Sequence, residues 1–156
     1  LIHTISKENS KAYYNLTQAY EAEFSKLTHE MPDEDGLFKI QTDIDHEHIG
    51  YLLYDKKKPI GFMVVCMGEV KDVAEFYIIP GKRMSGYGQT LASYVFSQHP
   101  GRWQVRQITG ADSARAFWQK VIDKITAGNY LEEVVQDNDW GCVSRQSFEL
   151  AGRAKE

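Results

Sequence analysis

Between Ser10 and Leu27 the apolar residues Tyr13, Leu16, Tyr20, Phe24 and Leu27 recur at steps of three and four. That period puts them on one stripe of a helix, with polar side chains filling the other face. Asn9 or Ser10 is expected to cap it, and Ile2 to Ile5 reads as a short strand before it. Pro32 and the acidic run Asp33, Glu34, Asp35, Gly36 end the helix in a loop, and Leu37 to Ile44 fits either a short helix or an irregular lid. From Ile49 the pattern changes to short continuous apolar runs. IGYLLYD and IGFMVVCM read as strands joined through KKKP as a hairpin. A turn around Gly68 to Asp72 leads to a third strand, Glu75 to Ile79, which Pro80 ends because proline cannot donate to a ladder.

A loop from Gly81 to Gly88 then enters a second helix, Gln89 to Gln98, with Leu91, Ala92, Val95 and Phe96 on one face. His99-Pro100-Gly101 breaks it, and Trp103 to Ile108 is the next strand. A strand, a crossover helix and a strand predict a parallel pair. Asp112 or Ser113 is expected to cap a third helix with Ala114, Phe117, Trp118, Val121, Ile122 and Ile125 on its apolar face. Gly128-Asn129 stops it, and Tyr130 to Val135 with Gly141 to Leu150 reads as a closing hairpin.

Composition changes this picture little. With 156 residues, 42% of them hydrophobic and 26% charged, the chain is expected to be one globular domain spanning 1–156. A net charge of -4 argues against a general nucleic-acid partner, and no apolar run reaches membrane-spanning length. Cys66 and Cys142 read as reduced, buried thiols, and LIHTISKENS lacks the basic-then-apolar pattern of a signal peptide, so a cytoplasmic protein is expected. Lys56, Lys57 and Lys58 read as a solvated hairpin tip. His46, Glu47 and His48 are too weak a pattern for a metal site, and no metal is expected.

Candidate chemistry concentrates in the glycine loop. Arg83, Gly86 and Gly88 are spaced R-x-x-G-x-G before a helix. The first N–H groups of a helix are unpaired and its dipole favours anions there, so loop and helix start suit a diphosphate. The strand before it, the helix after it, and WQVRQI followed by ADSARAFWQKVI together resemble the GNAT superfamily of acetyl-CoA-dependent N-acetyltransferases. HPGRWQV with ARAFWQKVI more closely resembles an uncharacterised branch of predicted acetyltransferases with Phe-Trp in this helix.

The resemblance implies a mixed α/β fold: a mainly antiparallel sheet of about six to seven strands, flanked by about four helices, with strands four and five parallel and splayed. It implies acetyl-CoA as cosubstrate and direct acetyl transfer to a small-molecule or peptide amine, without an acyl-enzyme, or alternatively a non-catalytic acyl-CoA-binding domain. A homodimer is a further expectation. Main-chain N–H groups of Arg83, Met84, Ser85, Gly86, Tyr87 and Gly88 would hold the pyrophosphate, with charge added by Lys82 and Arg83. Main chain of Ile78 and Ile79 would pair with the pantetheine arm, and a backbone N–H near Ile78 would hold the oxyanion.

Two positions depart from the family pattern. Its helix asparagine falls on Ala111, leaving Asp112 or Ser113 as substitutes. Its tyrosine acid falls on Trp118, whose indole N–H donates a hydrogen bond without being a practical acid. Trp118 thus stabilises the leaving thiolate or is a core aromatic, and Tyr77, Tyr87 and Tyr130 are candidate acids by chemistry alone. Glu75, an acid in an apolar strand, is the candidate base; desolvation would raise its pKa towards the range a base needs.

Overall fold

A computed structural model describes residues 1–152; residues 153–156 of the expected domain lie outside the described residues. The chain runs β1 (Ile2–Thr4), α1 (Ser10–Thr28), β2 (His48–Asp55), β3 (Lys58–Cys66), β4 (Val70–Ile78), a 3-10 turn (Pro80–Lys82), α2 (Tyr87–Gln98), β5 (Gly101–Ile108), α3 (Asp112–Thr126), β6 (Leu131–Asp137) and β7 (Gly141–Leu150). All seven strands form one sheet in the order β1-β2-β3-β4-β5-β7-β6. Every neighbouring pair is antiparallel except β4 and β5.

That parallel pair is short. Val70, Lys71 and Asp72 pair with Arg102, Trp103 and Gln104, and beyond them the two strands diverge. The fold is therefore the mixed, splayed sheet expected, with three α-helices and the 3-10 turn among the described residues rather than four helices. The segment from Pro32 to Glu47 contains no helix; it is strapped to α1 instead. Gln18 donates to the Phe38 carbonyl (2.9 Å) and accepts from its N–H (2.8 Å), and the Tyr13 hydroxyl donates to the Thr42 carbonyl (2.8 Å).

Strand alternation divides the core between the two faces of the sheet. On one face Tyr13 of α1 packs on Leu52, Phe62, Val64 and Tyr77. On the other, α2 and α3 bring Leu91, Val95, Phe96, Trp118 and Ile122 onto Met63, Val65, Ile78 and Trp103.

Several local expectations are corrected. β4 begins at Val70 instead of Glu75, because Asp72 and Val73 pair with β3 and Val70 to Asp72 acquire β5 as a partner that a local pattern does not reveal. α2 begins at Tyr87, with Gly88 inside its first turn. Neither Asp112 nor Ser113 caps α3: Ala111 holds the cap position, with no side-chain bond. Asn9 holds the cap position of α1, but its side chain ties the preceding loop, accepting from the Ser6 N–H (2.7 Å) and donating to the Thr4 carbonyl (3.1 Å). Both cysteines are free, as expected, yet Cys142 is exposed and Cys66 only half-buried.

Candidate active site

Where β4 and β5 part, the sheet is open. Arg106 of β5 pins the point of divergence, donating to Asp72, the last paired residue of β4, and to Asp137 of β6 (2.6 Å). Above this ion pair a cavity of about 240 Å³ passes between the strands and reaches both faces of the sheet. Tyr20, Glu21 and Phe24 of α1 line one side, Trp118 of α3 the other, and Glu75 and Phe76 of β4 lie between.

Glu75, the expected base, is buried at 8% exposure and points towards α1. One carboxylate oxygen accepts a hydrogen bond from the Thr42 hydroxyl (2.9 Å). Burial raises its pKa above the ordinary carboxylate value; the Thr42 and Tyr20 hydroxyls and His48 oppose the shift without cancelling it. Trp118 is at once a core residue and part of the cavity wall: it is 4% exposed, its ring meets Phe76 edge-on at 4.8 Å, and it lines the opening. Tyr77, Tyr87 and Tyr130 do not line the cavity; the phenol that does is Tyr20, which burial and Glu75 hold well above its ordinary pKa.

Beside Phe117 and Phe76 stands the glycine loop. A Cβ on Gly88 would lie 3.0 Å from the Phe117 ring and 3.5 Å from Phe76, so a glycine here lets the start of α2 sit against the cavity wall. Gly86 has φ of 85°, and a Cβ built there meets nothing within 4 Å, leaving open space over the loop. Met84 also has positive φ (62°) with its side chain in solvent, a conformation disfavoured for a non-glycine residue.

The N–H groups of Lys82 and Arg83 bond back to Ile79 (3.0 Å) and Pro80 (3.3 Å). The first loop-to-helix bond after them is Thr90 N–H to Gly86 (3.0 Å). The N–H groups of Met84, Ser85, Gly86, Tyr87, Gly88 and Gln89 lie outside these bonds, at the positive end of α2. This is the donor set a diphosphate fits.

The main chain narrows the other expectations. Arg83's N–H is engaged, and its side chain is a brace: it grips Glu23 of α1 through two bonds (2.7 and 2.9 Å) and donates from Nε to the Ile78 carbonyl (2.8 Å). Lys82 pairs with Asp55 at 2.7 Å, so both loop cations are partly neutralised. Ile79's N–H bonds Ile60 on β3 (2.9 Å). Because successive strand amides point in opposite directions, the Ile78 N–H faces the edge that β5 has left. Ser113 is exposed in the first turn of α3, near the cavity-lining Ala111 and Ala114.

The pattern of residues does not announce Glu21, Thr42 and Trp140. Glu21 sits on the buried line Tyr13, Thr17, Glu21 of α1, at 4% exposure. One of its carboxylate oxygens, Oε1, is buried without a hydrogen-bond partner. Burial, with repulsion from Glu75 and Glu30, pushes its pKa up to about 7. The signal in the sequence was the four-residue step from Tyr13 through Thr17, a second stripe beside the apolar one. Trp140, in the turn between β6 and β7, reaches back to the cavity, its ring 6.4 Å from Phe24.

Among the described residues no helix is long and apolar enough to cross a membrane, and no group of three or more His, Cys, Asp or Glu is placed to hold a metal. No family model matches the chain, and no curated protein does. Solved structures do. The ribosomal-protein-S18-alanine N-acetyltransferase from Escherichia coli is similar with a TM-score of 0.64 at 10% identity, over 100% of this chain and 98% of that one. An aminoglycoside 6'-N-acetyltransferase complexed with coenzyme A is similar with a TM-score of 0.61 at 13% identity, over 99% of each chain. Tetrahymena GCN5 is similar with a TM-score of 0.60 at 16% identity, over 93% of this chain and 94% of that one. At such identities the likeness is one of architecture, and the architecture is the GNAT acetyltransferase fold that the sequence resembles.

Proposed function

We propose that this protein transfers an acetyl group from acetyl-CoA to a primary amine by direct attack within a ternary complex. The observation that carries the reading is the junction of two half-sites at one split in the sheet: free amide donors at the start of α2, and a buried carboxylate, Glu75, in the cavity beside them. Acetyl-CoA supplies the activated acyl group as a thioester.

In this reading the N–H groups of Met84 to Gly88 bind the pyrophosphate, and Gly86 and Gly88 keep the approach clear. Arg83 contributes by shaping the loop through Glu23 and the Ile78 carbonyl rather than by meeting a phosphate. The Ile78 N–H pairs with the pantetheine arm or holds the oxyanion as it develops. Glu75 takes a proton from the amine, directly or through water, so that a neutral nitrogen attacks. Trp118 packs beside the thioester and offers its indole N–H to the departing sulfur, and Ser113 contributes from the start of α3.

The tryptophan at position 118 favours one second reading, an acyl-CoA-binding domain without turnover, because an indole does not protonate a thiolate. Thiol release from acetyl-CoA, followed across a panel of primary amines, separates the two. Amine-dependent release is the expected result. Binding of acetyl-CoA with no release above the hydrolytic background for any amine would leave the binding domain as the function.

A further inference from the structure

Glu21 is an unusual residue to find on the buried face of a helix. It is 4% exposed, it lines the cavity, and its Oε1 has no hydrogen-bond partner among the described residues. Its neighbour Glu75 has a donor in Thr42; Glu21 has none for that oxygen. A buried acceptor left unmatched is costly, and a donor brought by a ligand would offset that cost.

The surroundings say what kind. The ionisable groups that line the cavity with Glu21 are Tyr20 from its own helix, Glu75 from β4, Glu30 from the segment after α1, and Arg106 from β5, and of these Glu75 and Glu30 repel its charge. Among the described residues Arg106 is the one basic residue lining the cavity, and its guanidinium is already held between Asp72 and Asp137. A ligand carboxylate or phosphate would therefore meet three carboxylates and no free cation. An ammonium would meet carboxylates, among them Glu21, whose Oε1 lacks a donor among the described residues. Phe24, Trp118 and Trp140 line the same space with apolar and aromatic surface.

We infer that Glu21 is a specificity-determining residue that receives the ammonium of the acceptor, and that the acceptor is a primary amine with an apolar body and no carboxylate or phosphate beside its nitrogen. The inference rests on the transferase reading for the identity of the cavity as an acceptor site, and it fixes the class of amine. It also couples binding to pH. Near neutrality Glu21 is partly protonated, since burial and the charges of Glu75 and Glu30 hold its proton on. An incoming ammonium favours the carboxylate, so binding displaces that proton to solvent.

Calorimetry on the full chain tests this with two matched pairs that differ only in a carboxylate: 2-phenylethylamine against phenylalanine, and 3-methylbutylamine against leucine. Titrations at about pH 6 and about pH 8, each in buffers of different ionisation enthalpy, read the proton release. The expected result is that each amine binds at least about tenfold more tightly than its amino acid, and releases protons at the lower pH but not at the higher. Glu21→Gln, which keeps size and shape, is expected to weaken the amine by about tenfold or more and abolish the proton release. Amino acids binding as well as their amines, no binding of either amine at millimolar concentration, or Glu21→Gln binding with unchanged affinity and proton release would each overturn the inference. A shift in melting temperature on adding acetyl-CoA to the same preparations reports separately on the transferase reading. Without that shift the transferase reading fails, whichever way the amine titrations fall.

Discussion

Glu75 and Glu21 share a cavity but differ in environment, and the difference sets their predicted behaviour. Glu75 has Thr42 as a donor, and burial still raises its pKa. In the proposed role of base it would act only when ionised, so turnover is expected to fall with acid from a higher pH than an unperturbed glutamate would give. Glu75→Gln should retain acetyl-CoA binding and lose about 10²–10⁴-fold in turnover, removing that acidic limb. Steady-state thiol release across pH checks this, and unchanged turnover would remove Glu75 as base.

Glu21 makes a prediction about stability. Its folded pKa of about 7 lies above the unperturbed value of 4.5, so the folded state favours the protonated form. No penalty exists below the unfolded pKa; it grows as pH rises and is complete once pH exceeds the folded value. Glu21→Gln is therefore expected to be more stable than the parent at about pH 8, by up to the order of 3 kcal/mol, with the gain fading by about pH 4. Urea unfolding of both proteins across that range measures it; a constant difference would contradict the shift.

Glu75 was legible in the sequence because an acid among strand apolars is conspicuous. Glu21 was not, because the stripe Tyr13, Leu16, Tyr20, Phe24, Leu27 assigned it to the solvated face. The helix is rotated so that Tyr13, Thr17 and Glu21 face inward, and only tertiary packing sets that rotation.

At the scale of elements, the site depends on how β4 and β5 part. Three residue pairs hold them together, and Arg106 closes the split with Asp72 and Asp137. Asp72 is largely buried, and burial raises its pKa although Arg106 opposes the shift. Removing the guanidinium would leave that carboxylate without its counter-ion. Arg106→Met is expected to cost about 2–4 kcal/mol in unfolding free energy, more than the 1 kcal/mol or so of an exposed pair, as measured by denaturant titration.

Most elements were legible from local pattern: the β2–β3 hairpin from KKKP, α2 from Leu91, Ala92, Val95 and Phe96, and the glycine loop from its spacing. Their ends were not. β4 extends back to Val70 only because β5 lies beside it, and α3 takes in Asp112, a residue expected to cap it, and starts without a side-chain cap. Arg83 reads as a phosphate ligand in the motif, yet a glutamate 60 residues earlier claims it.

For the whole molecule, the order of strands and helices was readable because each hairpin and crossover leaves few alternatives. What lay beyond reach was the side of the cavity proposed to take the acceptor, assembled from α1, the irregular segment that carries Thr42, and the β6–β7 turn with Trp140. These pieces are distant in sequence, and no spacing rule joins them.

The start of α2 and its loop are proposed to bind acetyl-CoA. A ligand that binds only the folded protein stabilises it by about 2.7 kcal/mol at 100 times its dissociation constant. Gly86→Val forces a β-branched residue towards φ of 85° and places side-chain atoms in the open space over the loop, far from the core. The direct measurement is chemical unfolding of the parent chain and of Gly86→Val, each with and without acetyl-CoA. A shift of about 2–3 kcal/mol in the parent that is lost in the folded variant is the predicted result. No shift in the parent at millimolar acetyl-CoA, or an equal shift in both proteins, would contradict it.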